Sequence, residues 1–190
     1  MKKHFWLLAL PFLFMACNNE SKDSVEKADS TNEAKSDSAS GSTKMLSVDE
    51  STASFMTKVA DVSMSEVKFG ELAKDKAMSP RVKSFAEMMV RDHSKANEEL
   101  RSLAGRKNVT LPSNISEEHQ KKLDDMKKKS GKDFDRAYMN MMVDGHQSAV
   151  NDFDSNKDNK DPDVKDWVNK TLPTLQMHLD SAKAVKKALQ

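Results

Sequence analysis

From residue 47 onward, apolar positions recur at alternating steps of four and three, the spacing of one face of an α-helix. Four such stripes follow one another. The first runs through Phe55, Val59, Val62, Glu66, Phe69 and Ala73, and the second through Val82, Phe85, Met89, His93, Ala96, Leu100 and Leu103. The third takes in Phe134, Tyr138, Met142, His146, Ala149 and Phe153, and the fourth Val164, Val168, Leu175, His178, Ala182 and Leu189. The polar punctuation matches. Ser47-Val-Asp-Glu50 has the form of a capping box and Ser130-Gly-Lys-Asp133 a weaker version, while Ser79-Pro80 and Asp161-Pro162 each set a capping residue before a proline suited to the first helical position. The pattern predicts helices over about 48–78, 80–106, 131–157 and 162–188. Between the second and third, Val109-Thr-Leu-Pro112-Ser-Asn reads as loop, and Ser116 caps a short charged helix, SEEHQKKLDDMKKK. Two helical hairpins joined by one long crossover define the expected fold: all-α, a ferritin-like four-helix bundle with a short extra helix between its second and third helices.

Each stripe is interrupted once by an ionisable residue: Glu66, His93, His146 and His178. At 1.5 Å per residue, Glu66 and His93 both lie about 20 Å from the same interhelical turn and should be neighbours. His146 and His178 differ in level by about 7 Å, which a short overhang absorbs. Polar groups brought into a core without partners cost several kcal/mol, so something must compensate them. Two readings follow. Three neutral imidazoles and a carboxylate match the donor set of one Zn, Cu or Fe ion, with Asp92 and Asp144 as outer partners of the ligands. Alternatively the layer is purely structural, its histidines bonded to one another, to Glu66, or to Asp92, Asp144 and Asp180. Met89 and Met142 each precede a histidine by four residues on the same helical face, and Met177 adjoins His178. Such thioethers are either soft ligands that favour copper or flexible core filler.

The chain begins differently. Met1-Lys2-Lys3 is basic, and the ten-residue apolar run from Phe5 to Phe14 is too short to cross a hydrocarbon core of about 30 Å. It is followed by Met15-Ala16-Cys17, so residues 1–16 read as a lipoprotein signal peptide and Cys17 as the thiol that receives the lipid. Residues 17–46 then form the lipidated cysteine and a polar tether, expected to be disordered because Val25 is almost its only sizeable apolar residue before Met45. The bundle domain takes up 47–190.

Composition removes several classes of function. With 31 Lys+Arg against 30 Asp+Glu, the chain has no electrostatic reason to bind nucleic acid. A single cysteine excludes a disulfide framework or a multi-cysteine metal cluster. No nucleophile stands beside a base and no glycine-rich loop cradles phosphate, which points away from an enzyme. The charged crossover helix reads as a solvated face, and His119 and His4 carry no functional reading. No motif indicates a protein partner.

Three segments carry a family resemblance: SEVKFGELAKDKAMSPRVKSFAEMMVRDHSKANEELRSLAGRKNVTLP (65–112), GKDFDRAYMNMMVDGHQSAV (131–150) and TLPTLQMHL (171–179). With their Met-Val-x-Asp-His and Leu-Pro-x-Leu-x-x-His elements, they resemble the bacterial envelope family known as domain of unknown function 4142, grouped with ferritin-like bundles. The resemblance implies that fold and an exported location, and brings no established activity. Unlike di-iron ferritins, this chain has Val90, Val143 and Leu175 three residues before its core histidines, where a Glu-x-x-His motif needs Glu. At most a single-metal site at Glu66, His93, His146 and His178 is then expected. Together these features suggest a lipoprotein in the cell envelope, anchored to the outer membrane and facing the periplasm. Its bundle either binds one transition metal or serves as a non-catalytic interaction or stress-response module.

Overall fold

Six helices make up the regular structure of residues 23–37 and 48–189, which the computed structural model describes. The predicted signal peptide and Cys17 lie outside the described residues. The helices are α1 (Ser24–Asp37), α2 (Glu50–Lys76), α3 (Pro80–Lys107), α4 (Glu117–Lys127), α5 (Gly131–Ser155) and α6 (Pro162–Lys187). Helices α2, α3, α5 and α6 are the four predicted from the stripes, and α4 is the crossover helix.

The chain folds as a ferritin-like bundle of antiparallel neighbours. Helix α2 packs chiefly on α3 and α5 on α6, while α3 meets α6 and α2 meets α5 to close the square. Phe55 near the start of α2 sits against Phe153 near the end of α5 and Trp167 near the start of α6, with ring centroids 5.4 and 6.3 Å away. At the opposite end, the Asp135 carboxylate on α5 accepts from the Met78 and Ser79 backbone N–H groups in the α2–α3 turn, at 3.0 and 2.8 Å. The segment between α3 and α5 therefore travels the length of the bundle, with α4 lying along α2 and α5.

Side-chain caps hold the starts of α2, α4 and α6, with three changes from the predicted pattern. Asp161 and Ser116 cap as expected, accepting from Val164 N–H at 3.1 Å and His119 N–H at 3.2 Å. In the Ser47–Glu50 segment the cap is Asp49, which accepts from Thr52 N–H at 2.8 Å, so α2 starts at Glu50. Ser79 and Ser130 make no side-chain cap bond. Asp135 supplies the carboxylate at the start of α3 instead, a tertiary substitute for a local cap.

The larger correction concerns the expected tether. Residues 24–37 form α1, which packs on α2. No apolar stripe holds it there. Ala28 is buried, and the remaining attachment is polar: the buried Asn32 side chain exchanges two hydrogen bonds with the Thr110 backbone, Lys35 donates to Asn108 O and Thr110 Oγ1, and Thr57 donates to Asp29. Asparagine matches both the donor and the acceptor of a peptide unit, so one side chain does what a hydrophobic stripe was expected to do.

The core is divided. Phe55, Met56, Leu100, Phe153, Trp167 and Val168 belong to one apolar cluster, and Phe69, Phe85, Met89, Phe134, Tyr138 and Met142 to the other. Between them lies a polar layer of Ser63, Glu66, His93, His146 and His178, all buried. Among the described residues no helix is long and apolar enough to cross a membrane.

Gly70 in α2 sits at a close helix contact. A Cβ on Gly70 would meet Val90 Cγ2 at 2.8 Å and Ala86 O at 3.2 Å, so the absence of a side chain lets α2 and α3 approach closely. Alanine at Gly70 gains helix propensity but overpacks this contact. Thermal unfolding of Gly70→Ala is therefore expected to show a net loss of about 1–3 kcal/mol; unchanged or raised stability would mean that the two helices can separate freely.

Candidate metal centre

The polar layer takes one or two side chains from each bundle helix. Helix α2 contributes Glu66 and Ser63, α3 contributes His93 and the neighbouring Asp92, α5 contributes His146 and α6 contributes His178. Glu66 and His93 are neighbours as their equal distance from the turn predicted, with Glu66 Oε2 3.1 Å from His93 Nδ1. The overhang between α5 and α6 is absorbed as well, since the His146 and His178 ring centroids lie 5.4 Å apart. The His93–His146 and His93–His178 centroids are 5.6 and 5.3 Å apart.

Each imidazole is tied on its outer side. His93 Nδ1 faces Glu66 and has the Ser63 hydroxyl 3.1 Å away. His146 Nδ1 is 2.9 Å from the Met142 carbonyl and 3.4 Å from Glu66 Oε1. His178 Nε2 is 3.0 Å from Asp92 Oδ2. A carbonyl and a carboxylate only accept, which puts the protons on His146 Nδ1 and His178 Nε2; the Ser63 hydroxyl donates to the His93 carbonyl and so accepts from His93 Nδ1. The opposite nitrogens, His93 Nε2, His146 Nε2 and His178 Nδ1, carry lone pairs, are fully buried and have no hydrogen-bond partner. Leaving one such group unsatisfied costs about 1–3 kcal/mol. The layer contains three.

The histidines also converge. Each offers one ring nitrogen to a group in which all three lie within 4.8 Å of one another. Nitrogens bound at about 2.0–2.1 Å around a tetrahedral ion are about 3.3 Å apart, within reach of small rotamer adjustments. Burial favours the neutral form of His93 and His178. It pushes His93 below the ordinary histidine range, against the attraction of Glu66, and pushes His178 down to about 4 despite its bond to Asp92. Burial by itself raises the Asp92 carboxyl, but hydrogen bonds from Arg91 and His178 outweigh it and hold the group below its usual value.

The other predicted site residues fall into place around this core. Glu66 is outside the convergent group and faces the Nδ1 atoms of two histidines, a position that orients ligands. Asp92 plays the corresponding part for His178, a residue on a different helix from its sequence neighbour His93. Asp144 and Asp180 are exposed. Met89 and Met142 are buried in the apolar cluster beside the layer, and Met142 serves His146 through its backbone carbonyl; Met177 is exposed.

A cavity of about 510 Å³ opens beside the layer, with Glu66, His93, Val62 and Leu175 in its wall. Val59 and Val62, expected in the closed seam of α2, are only partly buried because they face this space. His119, which the sequence reading passed over, lines it too. Its Nδ1 lies 2.8 Å from Asp61 Oδ2 and 3.1 Å from the Ser116 hydroxyl. Burial acts to raise the Asp61 carboxyl, but hydrogen bonds from His119 and the Ser116 N–H hold it below its usual value. No local motif marks this pair, because its members are 58 residues apart.

The chain belongs to the DUF4142 family, a domain of unknown function, whose profile spans residues 35–185. That span includes the end of α1 and all four core residues. No curated protein matches the chain in sequence. Solved structures share its fold: a DUF305 fragment from Deinococcus radiodurans, at 14% identity and a TM-score of 0.64, covers 72% of this chain and 95% of its own. CopM is similar in its Cu(II)-bound form, at 19% identity and a TM-score of 0.62 over 73% of this chain and 97% of CopM. CopM in its Cu(I)-bound form gives 18% identity and 0.61 over 72% and 95%.

The lowered pKa values of His93 and His178 make stability depend on pH. His178 has a folded pKa below its unfolded value of about 6.5, so the unfolded chain binds more protons between those values. Its contribution is present in full above about pH 6.5 and is lost as pH falls toward about 4. Urea unfolding of the metal-free chain should show declining stability across this window, with a shallower slope in His178→Asn. Equal slopes would remove His178 as a source of the effect.

Proposed function

We propose that this chain is a lipid-anchored envelope protein whose bundle holds a single copper ion through His93, His146 and His178. The observation that carries the reading is the set of three buried imidazole nitrogens without partners. A layer that served only to fix helix register would pair its lone pairs, as buried polar groups generally do. Here the N–H sides are satisfied by Ser63 beside Glu66, the Met142 carbonyl and Asp92, the acceptor sides are left without partners, and the three rings gather within ligand reach of one another. This is the arrangement of metal-binding histidines, whose second nitrogen is fixed by a carboxylate or carbonyl.

The donor chemistry supports copper. Imidazole binds Zn, Cu, Fe and Ni, and among divalent first-row ions copper binds most tightly to nitrogen donors. The same fold occurs in CopM bound to Cu(II), Cu(I) and Ag. Three protein ligands leave a coordination position free, and the adjoining cavity has room for a water or another small ligand there. Glu66 orients and stays outside the coordination sphere. The function best supported is metal capture or buffering at the envelope, with Cys17 supplying the anchor.

Titration of the chain with Cu(II), Zn(II) and Fe(II) tests the site. One copper ion per chain should bind, with nitrogen couplings in the Cu(II) paramagnetic spectrum, and each of His93→Ala, His146→Ala and His178→Ala should abolish tight binding. Glu66→Gln should weaken it by about 10- to 100-fold. No binding tighter than about 10 μM, or equal binding by the triple alanine variant, would remove the proposal. The anchor has its own readout: the protein should partition into detergent from bacterial membranes, and Cys17→Ser should leave it in the aqueous phase.

A further inference from the structure

The histidine layer is buried, so an ion needs a way in. Among the described residues the cavity beside it reaches from Glu66 and His93 to the rim of α4, where His119, Glu118 and Lys122 stand. Small residues leave the space open: Ala96, Gly145, Ser148 and Ala149 all lie in its wall. Gly145 is informative because a glycine in a helix interior costs about 1 kcal/mol relative to alanine. Gly70 is explained by the close approach of α3, but at Gly145 a Cβ would meet only Glu66 Oε1, at an ordinary 3.9 Å. Packing does not require this glycine. Its bare side opens onto the cavity and Glu66.

Charge also suits a cation. Lys58 pairs with Asp152 at 2.7 Å and Lys122 with Glu118 at 2.6 Å, neutralising both lysines in the wall. Asp144 and Glu66 are left without a lysine or arginine partner among the described residues. His119 repeats the arrangement of the core ligands: a carboxylate, Asp61, holds Nδ1–H, leaving Nε2 as the nitrogen with a free lone pair. Three of the four histidines in the bundle domain's interior and cavity wall, His93, His178 and His119, are thus oriented by a carboxylate. His119 differs in its position on the outer part of the cavity, with its side chain 19% exposed.

We infer that this cavity is the loading route of the metal centre and that His119, held by Asp61, is the first ligand an entering copper ion meets on its way to His93, His146 and His178. The inference rests on the copper reading above. It assigns His119 a kinetic part: a partly exposed imidazole exchanges bound water for protein nitrogen before the ion reaches the buried layer. Outward transfer follows the same path.

Stopped-flow mixing of the whole chain with an aqueous Cu(II) salt, alongside equilibrium competition with a chelator, tests it. His119→Gln retains a donor toward Asp61 and lacks the free imidazole nitrogen. Ala149→Leu narrows the cavity without touching the layer. Both should slow loading by about tenfold or more, within the one to three decades over which such rates vary, and slow release in parallel, so that the dissociation constant stays within about threefold. Far-ultraviolet circular dichroism establishes that each variant is folded, and if one is not, the other decides. Unchanged loading rates overturn the inference and leave the copper site standing. An affinity loss in His119→Gln as large as that of His93→Ala also overturns it, because His119 would then belong to the resting site. A wild-type chain that binds no copper overturns both.

Discussion

The interaction on which the rest depends is the outward donation of three imidazole N–H groups: His93 to the Ser63 hydroxyl beside Glu66, His146 to the Met142 carbonyl, and His178 to Asp92. An imidazole has one donor and one acceptor when neutral, so fixing the donor side decides where the lone pair points. The nitrogens opposite these donors have no partner, and one nitrogen of each ring lies within 4.8 Å of the others. Glu66 is economical in this respect, since its two oxygens face two histidines on different helices. A carboxylate that could itself be a ligand by chemistry here faces the outer nitrogens of the imidazoles.

Such a layer is costly to a bundle, and the surrounding structure offsets it. Apolar clusters on both sides lock the levels of the four helices, with the Phe55, Phe153 and Trp167 rings at one end and the stacked Phe134 and Tyr138 rings at the other. Lys107 at the end of α3 reaches Asp161 and Asp163 at the start of α6, both at 2.7 Å, and helps hold the pair that carries His93 and His178 in register. Helices α1 and α4 both rest on α2, which explains why α2 buries a face wider than its predicted stripe, including Thr52, Met56, Thr57, Ala60 and Asp61. Ala96, Gly145 and Ala149 leave a gap in this packing, in the wall of the cavity beside the layer.

The bundle was legible because its signals are local and repeated. Three-and-four spacing, proline at the first helical turn and the Asp161 and Ser116 caps each act within a few residues, and the observed bounds of the four long helices differ from the predicted ones by no more than two residues. The three histidines were legible for the same reason: each interrupts an otherwise apolar stripe. Helix α1 was missed because its attachment consists of side-chain bonds to a loop 78 residues away, made by Asn32, and no periodicity records that. Asp135 was missed for a similar reason, since it substitutes across 56 residues for the cap that Ser79 does not make.

By itself the sequence determined the helices, their order, and which four residues would meet at one level, because rise per residue and hydrophobic spacing are properties of the local chain. Residues 1–17 also carry a basic start, a short apolar run and a cysteine, the pattern on which the proposed anchor rests. Only the tertiary structure decided the roles within the layer. Hydrogen-bond direction depends on which acceptor lies beyond each ring, and that separated Glu66 and Asp92, which lie on the outer side, from His93, His146 and His178, which gather within ligand reach of one another. It likewise turned His119 from a surface residue into part of a cavity wall, because its partner Asp61 comes from another helix and the space beside it exists only when α2, α4 and α5 have packed.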